Sequence, residues 1–135
     1  MEQVPELQNQ KTLLVVDDDP DVLNCISKAL GAEYRILQAA SGQEALEKSS
    51  DSHAQIHLLL SDFQMAGMTG VELATKITAQ RPKIKVLLMS GFTGGMLILN
   101  EGWHFLPKPF IPSQLRALIV GLVSPDKPSK FVAGA

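Results

Sequence analysis

The chain has 135 residues, which is enough for one well-filled hydrophobic core and too few for two. Apolar residues make up 45% and charged residues 19%, which argues against a disordered chain, and the formal net charge of −2 provides no basic field for nucleic acid. A single cysteine, Cys25, excludes an internal disulfide, and no apolar run approaches the ~20 residues that cross a bilayer. We therefore expect a soluble cytoplasmic protein that binds neither nucleic acid nor membrane.

Short apolar runs alternate with longer amphipathic stretches along the chain. This pattern is expected when helices cover both faces of a parallel sheet. The apolar runs predict five strands, over residues 12–16, 34–38, 56–61, 84–89 and 103–106.

Capping signals and periodicity predict five helices between and after these strands. Asp19 and Pro20 suit an N-cap and a first-turn proline for a helix over 21–30, in which we expect Cys25 to be buried. Ser41 opens a capping box for a second helix to about residue 50, and a third helix covers 71–80. A glycine-rich stretch leaves only about 96–101 for a short fourth helix, and a fifth opens at 111–113 and runs to about 123.

The element order is (βα)5, which predicts an α/β, doubly wound, five-stranded parallel sheet with a shortened fourth helix. We expect one folded domain over residues 12–123, between flexible segments over 1–11 and 124–135.

Polar residues stand at the carboxyl ends of the predicted strands: Asp17, Asp18, Asp62, Ser90 and Lys108. In the strand order 2-1-3-4-5, strands one and three are neighbours, and ligands gather where the order reverses. The three carboxylates would then share one cleft and would need a cation, for which oxygen ligands favour Mg²⁺. A lysine and a hydroxyl beside them are suited to holding an oxyanion. These are the parts for phosphoryl chemistry on a carboxylate.

Four segments in this order resemble the receiver domains of two-component response regulators. They are VVDDDP at 15–20, SDFQMAGMTG at 61–70, LMSG at 88–91 and FLPKPF at 105–110. The resemblance spans residues 12–123 and implies the flavodoxin-like, CheY-like fold of that family.

The resemblance also implies a role for each site residue. Asp62 would accept a phosphoryl group from a histidine kinase or a phosphotransfer protein and become an acyl phosphate. Asp18, Asp62 and the backbone carbonyl of Gln64 would ligate Mg²⁺, and Asp17 would act mainly through a metal-bound water. The protein would thus be a signalling switch that catalyses only its own phosphorylation and dephosphorylation.

Further residues would read out the phosphorylated state. Lys108 and Ser90 would contact the phosphoryl oxygens, Phe105 would rotate as they engage, and the peptide between Lys108 and Pro109 would be cis. The switched face would be that of the fourth helix, fifth strand and fifth helix, through which family members often signal or form homodimers.

Three features depart from the family pattern. Ala66 stands where proline is usual, Ser90 replaces the commoner threonine, and the segment from Ser90 to Lys108 is short by about four residues, roughly one helical turn. Because the shortening falls in the predicted fourth helix, we expect the output face to be altered.

Other functions stay open on the sequence alone. A phosphatase of the haloacid dehalogenase type also places two aspartates two positions apart after its first strand, which Asp17 and Asp19 could mimic, although Asp21 stands where such enzymes have a small residue. A pseudo-receiver would bind partners without phosphorylation. The sequence is compatible with a stand-alone receiver or with the amino-terminal piece of a longer protein. It is also similar to receivers joined to hybrid histidine kinases, which act as phosphorelay intermediates.

Overall fold

The computed structural model describes residues 10–91 and 102–123, which form one parallel sheet with helices on both faces. The strands are β1 (Thr12–Val16), β2 (Arg35–Ala39), β3 (Leu58–Asp62), β4 (Lys85–Ser90) and β5 (Trp103–Pro107). The helices are α1 (Pro20–Leu30), α2 (Gly42–Asp51), α3 (Gly70–Gln80) and α4 (Pro112–Val123). The sheet order is β2-β1-β3-β4-β5, and all four pairings are parallel, so the predicted fold class is confirmed.

Some sequence predictions fall outside the described residues. These are the short helix over 96–101 and most of the two flexible ends. At the amino-terminal boundary, the backbone carbonyl of Lys11 accepts the N–H of Arg35, so the chain already contacts β2 one residue before β1 begins.

The predicted strands differ from the observed ones mainly at their ends. Tyr34 and Ile84 are buried and apolar, but their backbone N–H groups donate to the preceding turns and not to a neighbouring strand. At the other end, β2, β3, β4 and β5 each run one residue further than predicted. Asp62 and Ser90 are therefore the last residues of their strands, which fixes their backbones in the sheet.

The hydrophobic core has two layers, one on each face of the sheet. Alternate strand residues face opposite sides, so each strand contributes to both layers. One layer packs under α1 and α4, and its largest buried members include Leu13, Leu30, Leu58, Leu60, Leu87, Met89 and Ile119. The other packs under α2 and α3, and its members include Leu14, Leu59, Leu73, Ile77 and Leu88.

Side-chain caps begin the first three helices. Asp19 accepts the backbone N–H of Asp21 at 2.9 Å, as predicted, and Ser41 accepts that of Glu44 at 3.1 Å. Thr69 and its capping-box partner begin α3, which positions that helix directly after the loop that follows Asp62. Among the described residues, no helix has the length and hydropathy needed to cross a membrane.

The prediction that Cys25 is buried is wrong, because its side chain is exposed. The inward face of α1 is formed by Leu23, Ile26 and Leu30, which are spaced at helical intervals. Cys25 lies one residue before Ile26, so its side chain is rotated away from that face and points to solvent.

Candidate functional site

Three carboxylates meet at the carboxyl edge of the sheet. Asp17 directly follows β1 and Asp62 ends β3, and these strands are paired with Val16 opposite Ser61. One carboxylate oxygen from each of Asp17, Asp18 and Asp62 lies within 4.8 Å of the other two. We call these three residues the acidic cluster. Asp17 is buried, Asp62 is half-buried and Asp18 is exposed, so the cluster opens to solvent on the Asp18 side.

Lys108 bridges two members of the acidic cluster. Its Nζ atom lies 3.2 Å from Oδ2 of Asp17 and 3.1 Å from Oδ1 of Asp62. Its backbone N–H donates to the carbonyl of Ser90 at 2.6 Å, and its peptide bond to Pro109 is cis. One ammonium group cannot neutralise three ionised carboxylates, so the cluster keeps an excess of negative charge. Oxygen ligands with excess negative charge suit a hard divalent cation such as Mg²⁺.

Burial and neighbouring charges shift the pKa values of Asp62 and Lys108. Burial raises the pKa of Asp62, Lys108 partly opposes this, and the nearby charges of Asp17 and Asp18 raise it further. Burial alone would lower the pKa of Lys108, but its hydrogen bonds and charge interactions with Asp62 and Asp17 outweigh that effect and raise it. The lysine is therefore held in its charged form beside an aspartate that ionises less readily than usual.

Backbone N–H groups hold one oxygen of Asp17 and one oxygen of Asp18. The N–H of Asp19 donates to Oδ1 of Asp17 at 2.9 Å, and the N–H of Ala66 donates to Oδ2 of Asp18 at 3.3 Å. Asp19 thus has a second role beside the helix cap that the sequence predicted. Neither contact could be found from sequence, because any residue type except proline can donate through its backbone.

The loop after Asp62 is anchored on both sides. The N–H of Phe63 donates to the carbonyl of Met89 at 2.6 Å, and the N–H of Gly70 donates to the carbonyl of Phe63 at 2.8 Å. A Cβ atom on Gly70 would lie only 2.3 Å from the carbonyl oxygen of Asp62. Gly70 is therefore a residue that positions the site. Its place at the start of a helix, just after the loop, is the signal that could have identified it.

The remaining predicted site residues lie on β4, on β5 and in the loop after Asp62. Ser90 ends β4 and is buried, and its backbone is paired opposite Pro107 of β5. Phe105 on β5 is half-buried and packs against the core layer under α2 and α3. Gln64 lies two residues after Asp62 in an exposed part of the loop.

The model of the response regulator receiver domain family matches residues 13–120. The chain belongs to this family. It is 31% identical over 111 residues to a hydrogenase transcriptional regulatory protein of Cupriavidus necator, and 31% identical over 124 residues to a sensor kinase, CckA, of Brucella abortus. These matches cover 78% and 88% of the chain, which spans only 23% and 13% of the two relatives.

Solved structures agree with this assignment. A receiver domain protein from Methanospirillum hungatei shares 29% of its sequence with this receiver at a TM-score of 0.78, over 87% of this chain and 96% of that one. The arrangement of five parallel strands in the order 2-1-3-4-5 is therefore the fold of the family.

An apolar groove adjoins the site of this receiver. It has a volume of about 310 Å³ and runs between α1 and the segment that follows β5. Its lining includes Val22, Ile26, Pro109 and Phe110, together with Lys108 of the site itself. An apolar surface therefore lies directly beside the acidic cluster.

Proposed function

We propose that this receiver is the phosphoacceptor of a two-component or phosphorelay system, and that Asp62 accepts the phosphoryl group in a reaction that depends on Mg²⁺. The donor is a phosphohistidine of a histidine kinase or of a phosphotransfer protein. The observation that carries the proposal is the meeting of three carboxylates within 4.8 Å at the sheet edge, with Lys108 bridging two of them.

Burial and hydrogen bonding favour Asp62 over Asp17 as the nucleophile. The Asp17 side chain is 1% exposed, and both of its oxygens have partners, one in the Asp19 N–H and one in Lys108. The Asp62 side chain is 13% exposed, and among the described residues only its Oδ1 atom has a partner. The Oδ2 atom of Asp62 therefore keeps a lone pair for an incoming phosphorus atom.

The transfer step forms one bond and breaks one. An Asp62 oxygen bonds to phosphorus as the bond from phosphorus to the donor imidazole nitrogen breaks, and the imidazole leaves with that electron pair. Lys108 contacts the Asp62 carboxylate and can hold a phosphoryl oxygen next to it, with the hydroxyl of Ser90 as a second contact.

The donor set fits a bound Mg²⁺. Asp18, Asp62 and the carbonyl of Gln64 would ligate it, and Asp17 would act mainly through a coordinated water. When bound, the cation neutralises the charge that accumulates between the carboxylates and the phosphoryl oxygens.

Docking of the donor and the response to phosphorylation complete the proposal. A protein donor must bring its imidazole to Asp62, and the apolar groove lined in part by Lys108 is a surface suited to bind the donor. Phosphorylation would engage Ser90 and rotate Phe105, which would alter the face of β5 and α4 that a downstream partner or a second copy recognises. A cytoplasmic location also stays a prediction.

The test is labelling of Asp62 by a small phosphodonor in the presence of Mg²⁺. We expect close to one phosphoryl group, or one beryllofluoride, per chain in the presence of Mg²⁺ and almost none after chelation. The variant Asp62→Asn should take up no label. Full labelling of that variant would show that the acceptor is wrong.

A phosphate-ester turnover assay, together with the labelling result, separates the alternatives. Steady turnover of a phosphate ester would favour the phosphatase, because a receiver modifies itself once and then slowly loses the group. Absence of labelling in the unmodified chain would favour the pseudo-receiver.

A further inference from the structure

We infer that the backbone N–H of Ala66 positions Asp18 for the divalent cation, so that residue 66 sets the affinity of this receiver for its metal. The inference rests on the proposed function, because it concerns the same acidic cluster. It assigns the role to the backbone of Ala66 and not to its side chain.

Asp18 is the least constrained member of the acidic cluster. Lys108 holds Asp17 and Asp62, and the N–H of Asp19 also holds Asp17. Asp18 is exposed and takes part in none of the ion pairs of the described residues. Across residues 10–91 and 102–123, its single hydrogen bond is the one from the N–H of Ala66 to Oδ2, at 3.3 Å.

The donor of this bond lies in a loop that is itself anchored. The loop is attached to β4 through the Phe63 N–H and the Met89 carbonyl, and it is closed by the bond from the Gly70 N–H to the Phe63 carbonyl. Within the described part of the chain, the bond between Ala66 and Asp18 is the direct hydrogen bond that joins this loop to the one after β1. Through this bond, the anchored loop after Asp62 restrains the Asp18 side chain in the loop after β1.

A restrained carboxylate binds a cation more tightly than a freely rotating one. The N–H group occupies one oxygen of Asp18 and limits its rotamers, while the other oxygen stays available as a ligand. Groups that orient a metal ligand in this way commonly change metal affinity when they are removed. Proline is the one residue type that removes this donor, because it has no N–H.

The first test compares Ala66→Pro with Ala66→Ser. The serine variant keeps the N–H and is the matched control. We expect Mg²⁺ to bind about three- to tenfold more weakly to the proline variant, as measured by calorimetric titration, and within about twofold of the original affinity to the serine variant. A proline variant that folds and binds Mg²⁺ as tightly as the original chain would overturn the inference while leaving the proposed function intact. If the original chain itself bound no Mg²⁺, the proposed function would fail as well.

A second measurement does not depend on the folding of the proline variant. In the metal-free chain, the Ala66 amide should exchange with solvent more slowly than in the variant Asp18→Ala, by a factor of about two to ten for loss of one hydrogen bond. The control is Asp21→Ala, which removes a nearby carboxylate of α1 and should leave the rate unchanged. Equal Ala66 exchange rates in the original chain and in Asp18→Ala would contradict the inference.

Discussion

Replacing Lys108 with methionine should destabilise the protein because it leaves the acidic cluster without its counter-charge. The substitution keeps most of the aliphatic stem and removes the ammonium group that lies 3.2 Å from Asp17 and 3.1 Å from Asp62. The three carboxylates would then repel one another across less than 4.8 Å. Thus the loss is electrostatic rather than a loss of packing.

The size of the effect follows from burial. At an effective dielectric constant of about 20, each of the two contacts contributes roughly 5 kcal/mol of attraction, and desolvation of the ions offsets most of it. Removing one partner of a fully buried pair costs about 3–5 kcal/mol, whereas an exposed pair is worth about 0–1 kcal/mol. The side chains of Asp17, Asp62 and Lys108 are 1%, 13% and 25% exposed. We therefore expect a loss of about 2–3 kcal/mol in the free energy of unfolding at pH 7, nearer to the buried case.

The assay is urea denaturation without divalent cations, with Lys28→Met as the control for an exposed lysine that forms no ion pair with the described residues. The difference between Lys108→Met and the original chain should narrow as the pH falls. Removing the ammonium raises the pKa of Asp62 further above its usual value, so the folded variant binds a proton that the unfolded chain does not. The variant therefore loses stability as the pH rises through that raised pKa and regains it as the pH falls. Added Mg²⁺ should also narrow the difference in stability between Lys108→Met and the original chain. If Lys108→Met were no less stable than Lys28→Met, the electrostatic reasoning would be wrong.

Three other outcomes can be checked directly. Gly70→Ala should lower both stability and Mg²⁺ affinity, since its Cβ would lie 2.3 Å from a carbonyl oxygen. A Cβ on Gly91 meets no atom of residues 10–91 and 102–123 within 4 Å, so Gly91→Ala should behave as the original chain in the same denaturation and titration assays. Cys25 should react fully with a thiol reagent in the native state, and reaction only after unfolding would refute its exposure. The Nδ1 atom of His57 accepts a backbone N–H, and burial, followed by the charge of a neighbouring lysine, lowers the pKa of this histidine. The stability that neutral His57 contributes is therefore present above pH ~6.5 and is lost as the pH falls. The thermal unfolding temperature should therefore fall less steeply between pH 8 and pH 5 for His57→Gln than for the exposed control His53→Gln. Equal slopes would exclude a contribution of His57 to the pH dependence of stability.

The sequence alone determined the fold class and the composition of the site. Continuous apolar runs are typical of strands buried on both faces, and the alternation of strands and helices limits the sheet to a few topologies. Because parallel strands end at one edge, the sequence alone predicts that the polar residues Asp17, Asp62 and Lys108 lie together. The cap at Asp19 was equally predictable, because it depends on the chemistry of a single side chain.

The tertiary structure decided how these residues are held. The bridging position of Lys108 depends on the path of the chain after β5, and the approach of Gly70 to Asp62 depends on how closely α3 packs against the strand end. The exposure of Cys25 depends on the rotation of α1 about its axis. The bond from Ala66 to Asp18 joins residues 48 positions apart through a backbone group that nearly every amino acid possesses, so residue identity carries no signal for it. Side-chain chemistry thus defines which groups the site contains, and only packing fixes their distances and orientations.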